Sequence, residues 1–317
     1  MPFKYRKDIL DDDFIQLEIP LEDDSEGRNI ATLSRLKTNK KLDKAVLYIH
    51  GFNDYFFQKE FAYKLNEFNV NFYALDLRKY GRSYLSHQKF NDVRNIYSYF
   101  EEINKALAII HQEGNTKVTL IGHSTGGLIV TIFAKHHMGS KSFHGIILNS
   151  PFFKFNLRFT QRMFIPLASF LGRIFPKIKI SGGFTEKYGQ SIHKNYSGEW
   201  EYDLKLKPNL PPKVNLGWIR AVHKAQNELK HRVHIDKPIL VLHSARSVTD
   251  LDDIDQISSG DSILNIKDIQ KISNNINGDI EIEAIKGGLH DLILSRRDVR
   301  DNVYNIIFAW MKKKNLG

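Results

Sequence analysis

Ser124 lies in Gly122-His123-Ser124-Thr125-Gly126, and His290 lies in Gly287-Gly288-Leu289-His290-Asp291. A serine hydroxyl is a weak nucleophile until a base takes its proton, and the base needs a third group to orient it. Before Ser124 stands Val118-Thr119-Leu120-Ile121, β-branched and apolar; after it Gly127 to Lys135 is apolar and long enough for a buried helix. A nucleophile on so sharp a strand-to-helix turn needs small residues two positions to either side, because the backbone is closely packed there. The turn also puts the hydroxyl at a helix N-terminus, where free N–H groups stabilise negative charge. The chemistry this allows is nucleophilic attack on an acyl carbonyl.

His290 is the candidate base. It follows the strand-like run Ile280–Ile285 in a glycine-containing loop, and loops at strand ends are where reactive groups are presented. A developing oxyanion needs two backbone donors. One is the Thr125 N–H, on the residue after the nucleophile. The other is expected from His50-Gly51-Phe52, after the apolar run Ala45–Ile49, with the Phe52 N–H as donor and Gly51 permitting close approach. His50 itself reads as a structural loop residue.

These groups need a rigid frame, and the hydrophobic pattern supplies one. Phe14–Ile19 and Arg28–Leu36 read as an antiparallel strand pair around a turn at Asp23–Gly27. Strand and helix patterns then alternate: strands at Ala45–Ile49, Asn71–Leu75, Val118–Ile121 and Gly145–Asn149, helices at Lys59–Phe68 and Ile96–Glu113. Continuous rather than alternating apolar strands predict a mostly parallel α/β sheet covered on both faces. The rhythm breaks at Pro151 and resumes with a strand at Pro238–Leu242, a helix at Asp268–Asn275, the strand Ile280–Ile285 and a closing helix at Val299–Lys313. The expected organisation is a core in two parts, 1–151 and 237–317, with a cap inserted at 152–236.

The chain has 317 residues and a formal net charge of +10. From Phe152 to Asp236 there are 15 Lys and Arg against 6 Asp and Glu, so the inserted segment holds nine of those ten charges. Such a segment suits transient contact with an anionic membrane, with a solvated basic face as the alternative; no nucleic-acid motif accompanies it. The chain contains no cysteine, which excludes disulfides, thiolate metal sites and thiol catalysis. No metal cluster or phosphate-cradling loop is visible, so no cofactor is expected. No signal peptide or bilayer-spanning run is visible either, and the expected location is cytoplasmic.

Four stretches carry a resemblance to the α/β-hydrolase superfamily, in its monoacylglycerol lipase, lysophospholipase and serine aminopeptidase-like branch: His50-Gly51-Phe52, Asp76-Leu77-Arg78-Lys79-Tyr80-Gly81-Arg82-Ser83, Gly122 to Gly127, and Gly287-Gly288-Leu289-His290. The resemblance covers about residues 14–151 and 237–315 and does not extend specifically to the cap. The family's second motif has glycine where Lys79 stands. Its acid follows the strand resembling Ile239–Leu242, where this chain reads His243-Ser244-Ala245-Arg246-Ser247, with serine in the acid's place. Asp261-Ser262-Ile263-Leu264-Asn265 resembles the acid loop displaced by an insertion at about Val248 to Gly260. The resemblance thus implies a triad of Ser124, His290 and Asp261, with Asp250 as the alternative acid.

The function so implied is a serine hydrolase of carboxylic esters, esterase-, lipase- or lysophospholipase-like. Phe152, Phe153, Phe155, Phe159, Phe164, Phe170, Phe175, Trp200 and Trp218 are the aromatic residues available to line an acyl pocket or to pack the cap core. A peptidase or thioesterase would use the same triad. A non-enzymatic ligand-binding module is the other reading, and Ser247 is its main support.

Overall fold

The computed structural model describes residues 3–317. Its centre is a nine-stranded sheet in the spatial order Arg6–Lys7, Phe14–Asp24, Gly27–Leu36, Asn71–Asp76, Lys44–Ile49, Lys117–His123, Gly145–Asn149, Ile239–Ser244, Ile280–Ile285. The first three strands and the join to Asn71–Asp76 are antiparallel. From there every pairing is parallel. The central strands are apolar on both faces because both faces are covered. Helices Lys59–Glu67 and Arg297–Lys313 bury Phe61, Leu65, Val303 and Ile307 on one side. Helices Tyr99–Gln112, Thr125–His136 and Ile266–Ser273 bury Ile103, Leu107, Leu128 and Ile269 on the other. The edge strand Ile280–Ile285 is only half covered, and its Glu281 and Glu283 fit that place.

Parallel strands end together, so the loops after Lys44–Ile49, Lys117–His123, Ile239–Ser244 and Ile280–Ile285 gather at one rim of the sheet. Between Gly145–Asn149 and Ile239–Ser244 the chain leaves the sheet. There helix Ile165–Ile174 packs on helix Leu216–Glu228, the strands Lys179–Ile180 and Val214–Asn215 pair antiparallel, and a short helix spans Lys187–Ile192. The Asn215 side chain caps Leu216–Glu228 by accepting the Trp218 N–H at 2.7 Å.

The Asp76–Ser83 loop explains its own sequence. Lys79 has φ 67°, the left-handed region that favours glycine. Its ammonium offsets that cost by pairing with Asp24 at 2.6 Å and Glu26 at 2.8 Å across the N-terminal hairpin. The Arg82 side chain is buried between Asp8 and Asp76, each 2.8 Å away, and also donates to the Phe56 carbonyl. Removing one member of such a cluster strands the others without water. Arg82→Met is expected to destabilise the protein by about 3–5 kcal/mol, read as a lowered urea midpoint; an unchanged midpoint would refute this account of the loop.

Candidate active site

Strand Lys117–His123 gives way to helix Thr125–His136 at one residue, and Ser124 makes the turn with φ 52° and ψ −113°. That backbone costs on the order of 1–3 kcal/mol for a non-glycine residue. Three hydrogen bonds hold it. The Ser124 N–H donates to Asn149 O at 2.9 Å, and Ser124 O accepts from Phe152 N at 2.9 Å and Leu128 N at 3.2 Å. The flanking glycines are a steric requirement. A Cβ on Gly122 would lie 2.6 Å from Gly126 O, and one on Gly126 would collide with the Ile49 and His50 carbonyls.

His290 meets Ser124 from the loop after the edge strand, its Nε2 being 3.0 Å from Ser124 Oγ. Its Nδ1 is 3.0 Å from Asp261 Oδ2. The carboxylate makes Nδ1 the protonated nitrogen, leaving Nε2 free to accept from the serine hydroxyl. Asp261 is buried, and its other oxygen accepts from the N–H groups of Ile263 at 2.9 Å and Leu264 at 2.7 Å. Residues 248–260 form an excursion that closes on itself. Ser247 and Asp261 bridge in parallel, Val248 N donates to Asp261 O, and Asp261 N donates to Arg246 O. Asp261 is thereby returned beside Ser247. Ser247 accepts the Ile266 N–H and donates to Leu264 O, bracing the loop that carries the acid. Asp250 is exposed, and its carboxylate accepts the Asp252 N–H within the excursion.

Phe52 and Thr125 line the same cavity as Ser124 and His290. Among the described residues, neither backbone amide donates a hydrogen bond to another group of the protein. The Phe52 loop is fixed by His50, whose Nε2 accepts the Leu77 N–H at 3.0 Å while Nδ1 donates to Gly51 O at 2.7 Å. That pattern requires the neutral ring, and burial depresses the His50 pKa accordingly.

Behind these groups is a buried polar cluster that sequence reasoning did not identify. Lys207, from the inserted segment, pairs with Asp54 at 2.8 Å. Asp54 lies 3.3 Å from His123 Nδ1, and Asp291 Oδ2 lies 3.8 Å from the same atom. Asn149 donates to Asp291 at 2.7 Å. Burial opposes charge on Asp54, but Lys207 and His123 outweigh it and hold its carboxyl well below the usual range. Burial likewise opposes an imidazolium at His123, but Asp291 and Asp54 raise its pKa above the ordinary histidine value. Asp54, His123 and Asp291 have the donor types of a cation site, with ligand atoms within 4.8 Å of one another. Lys207 already supplies an ammonium beside Asp54, where a cation would otherwise be called for. Each cluster member from the core flanks a residue flagged by sequence: Asp54 follows Phe52 by two, His123 precedes Ser124 and Asp291 follows His290. Tyr188 was also missed. Its hydroxyl accepts the Asp291 N–H at 3.1 Å, and its ring packs edge-on against His290.

The cavity above Ser124 has a volume of about 470 Å³. Phe152, Phe155, Phe164 and Trp218 line it, as do Phe52 and Phe184. The other aromatic candidates lie elsewhere. Phe159, Phe170 and Phe175 are exposed, Phe153 is buried beside a second cavity, and Trp200 donates to Leu294 O while its ring faces Arg300. Composition does not reveal which face of a short helix turns inward.

Residues 40–296 match the sequence model of the family described as serine aminopeptidase, S33. The chain belongs to that family. It therefore has the α/β-hydrolase fold, and solved structures agree. Monoglyceride lipase from Saccharomyces cerevisiae, a soluble variant solved with a substrate analogue, superposes with a TM-score of 0.65 at 18% identity, over 99% of this chain and 95% of that one. Monoacylglycerol lipase from Paleococcus ferrophilus has a TM-score of 0.65 at 17% identity, over 94% and 99%. A thermostable carboxyl esterase from Bacillus coagulans, solved with glycerol, has a TM-score of 0.65 at 15% identity, over 94% and 98%. No protein of curated function matches the sequence. Like other S33 members, the chain is a hydrolase.

Lys207→Met leaves the buried Asp54 carboxylate without its ammonium and is expected to lower stability by about 3 kcal/mol or more. Lys207→Met/Asp54→Asn should recover most of the loss in denaturant titrations. A double variant no more stable than the single one would show that the pair is not the origin of the effect.

Proposed function

We propose that this protein is a serine hydrolase that cleaves carboxylic esters of apolar acyl chains through an acyl-enzyme on Ser124. The observation that carries the reading is the hydrogen-bonded series Ser124–His290–Asp261 at the floor of an apolar cavity. His290 Nε2 takes the Ser124 proton as Oγ attacks the ester carbonyl. The Phe52 and Thr125 N–H groups hold the oxyanion. The imidazolium returns its proton to the leaving alkoxide, which departs as the alcohol. His290 then deprotonates a water that attacks the acyl group, and the carboxylic acid product leaves with Ser124 restored. Asp261 fixes the His290 tautomer through its contact with Nδ1.

Ester rather than N-terminal peptide chemistry is supported by the cavity's charge. No Asp or Glu is among its lining residues, whereas binding a free ammonium there calls for a carboxylate; the charged residue lining it is Lys207. The non-catalytic reading rested on Ser247 standing in the acid's place. The contact between His290 and Asp261 argues against it.

We read residues 152–236 as a cap over a core formed by 1–151 and 237–317, and its outer face as a contact for anionic lipid. Phe159 is 78% and Met163 66% exposed, and Leu167, Phe170, Ile174 and Ile178 are also uncovered. Arg158, Arg173, Lys177 and Lys179 lie among them in sequence. Phe164, exposed in the same stretch, also lines the cavity, so the apolar face continues to its mouth. Apolar side chains among basic ones suit a surface that is hydrocarbon beneath negative headgroups, such as a cytoplasmic leaflet. Among the described residues, no helix is long and apolar enough to cross a membrane.

A chain-length series of chromogenic esters tests the chemistry. Ser124→Ala should abolish turnover, Asp261→Asn should lower kcat by about 10³–10⁴, and Asp250→Asn should leave it near wild type. Near-wild-type turnover in Asp261→Asn would exclude Asp261 as the acid. Flotation with vesicles tests the surface. Binding should require anionic lipid and fall at least several-fold in Phe159→Ser/Phe170→Ser; equal binding to neutral vesicles, or no effect of the substitutions, would refute it.

A further inference from the structure

The excursion at 248–260 does not place the acid. Its two ends are already joined, by the Ser247–Asp261 bridge and by the backbone hydrogen bonds from Val248 to Asp261 and from Asp261 to Arg246. A short link across the same gap would leave Asp261 where it is. The residues between are nevertheless ordered. Asp253 caps the helix Ile254–Ile257 by accepting the N–H groups of Asp255 and Gln256. The Arg246 guanidinium crosses the base of the excursion to Ser259 Oγ at 2.6 Å. Ile257 is fully buried, and its short helix packs on Lys187–Ile192 of the inserted segment.

Ile257 and Leu251 both line the cavity that holds Ser124 and His290. Ile257 is a buried wall residue, whereas Leu251 is 41% exposed and so faces both the cavity and solvent. Among the lining residues they come from a segment that carries no group of the proposed chemistry.

We propose that the 248–260 excursion is a specificity element whose Ile257 and Leu251 limit the length of the apolar acyl chain accepted at Ser124. This deepens the ester-hydrolase reading and rests on it for the nature of the substrate. The physical argument is one of volume and contact. Each methylene that reaches an apolar wall contributes about four-fold in kcat/KM, and one that meets a filled wall contributes nothing or is excluded. Ile257→Ala removes three carbons from the wall and opens room for about that many on the ligand. Leu251→Trp adds bulk at a partly exposed position, where folding is little affected.

The test is the rate at which Ser124 is phosphonylated by a homologous series of alkyl fluorophosphonates, alongside hydrolysis of the ester series. In the phosphonylation Ser124 Oγ bonds to phosphorus, fluoride leaves and His290 takes the serine proton. Ile257→Ala should move the optimum to longer chains by two or more carbons. Leu251→Trp should slow long-chain labelling at least five-fold and leave the shortest probe within two-fold of wild type. Thermal melts identify variants that remain folded. Folded variants whose profiles overlay wild type at every length would overturn the proposal, as would equal slowing of short and long probes by Leu251→Trp. If the wild type hydrolyses no ester yet the labelling profiles shift as stated, the ester reading fails and the wall stands.

Discussion

The site depends on the backbone of Ser124 being held in a conformation that a non-glycine residue avoids. The strain is local, but what holds it is not: Asn149 from the neighbouring strand, Phe152 from the chain leaving the sheet, and a helix whose first turn presses against the Ile49 and His50 carbonyls. A parallel sheet supplies all three because its strands end at one level. The hydroxyl is lifted from the sheet rim because no packed alternative remains for it.

A second constraint is charge buried behind the first. His123, Asp54, Asp291 and Lys207 stand next to, or within two residues of, the groups that face the cavity, or line it themselves. Two acidic groups, a lysine and a histidine in so little space are tolerable only together, since an isolated charge in a poor solvent costs several kcal/mol. The cluster therefore ties the Phe52 loop, the Ser124 turn, the His290 loop and the inserted segment to a common geometry. Lys207 is the member from the insertion, so the seating of that segment and the placement of the Phe52 loop are not independent.

The inserted segment presents apolar groups in two directions. Phe152, Phe155 and Trp218 face the cavity, whereas Phe159, Phe170 and Phe175 face solvent. A thin layer of short helices cannot bury both of its faces, and exposed basic residues are interspersed in sequence with the exposed apolar ones. The excursion after Ile239–Ser244 adds to the same enclosure from the core side.

Much of this was legible in the amino-acid sequence. Apolar runs of strand and helix length gave the α/β architecture, and glycines flanking Ser124 and preceding His290 marked the turns, because both patterns are set by local backbone sterics and by burial. The insertion was visible as a break in rhythm and an excess of positive charge. Ser247 warned that the acid loop departs from its relatives, but both Asp261 and Asp250 were left open. Spacing along a chain does not say where an excursion closes; the pairing of Ser247 with Asp261 decides which carboxylate meets His290. The partnership of Lys207 with Asp54, and the choice of aromatic residues that face inward, were likewise settled only by tertiary structure. Charge pairing and helix facing are through-space matters, set by how separate segments dock, and no local pattern encodes them.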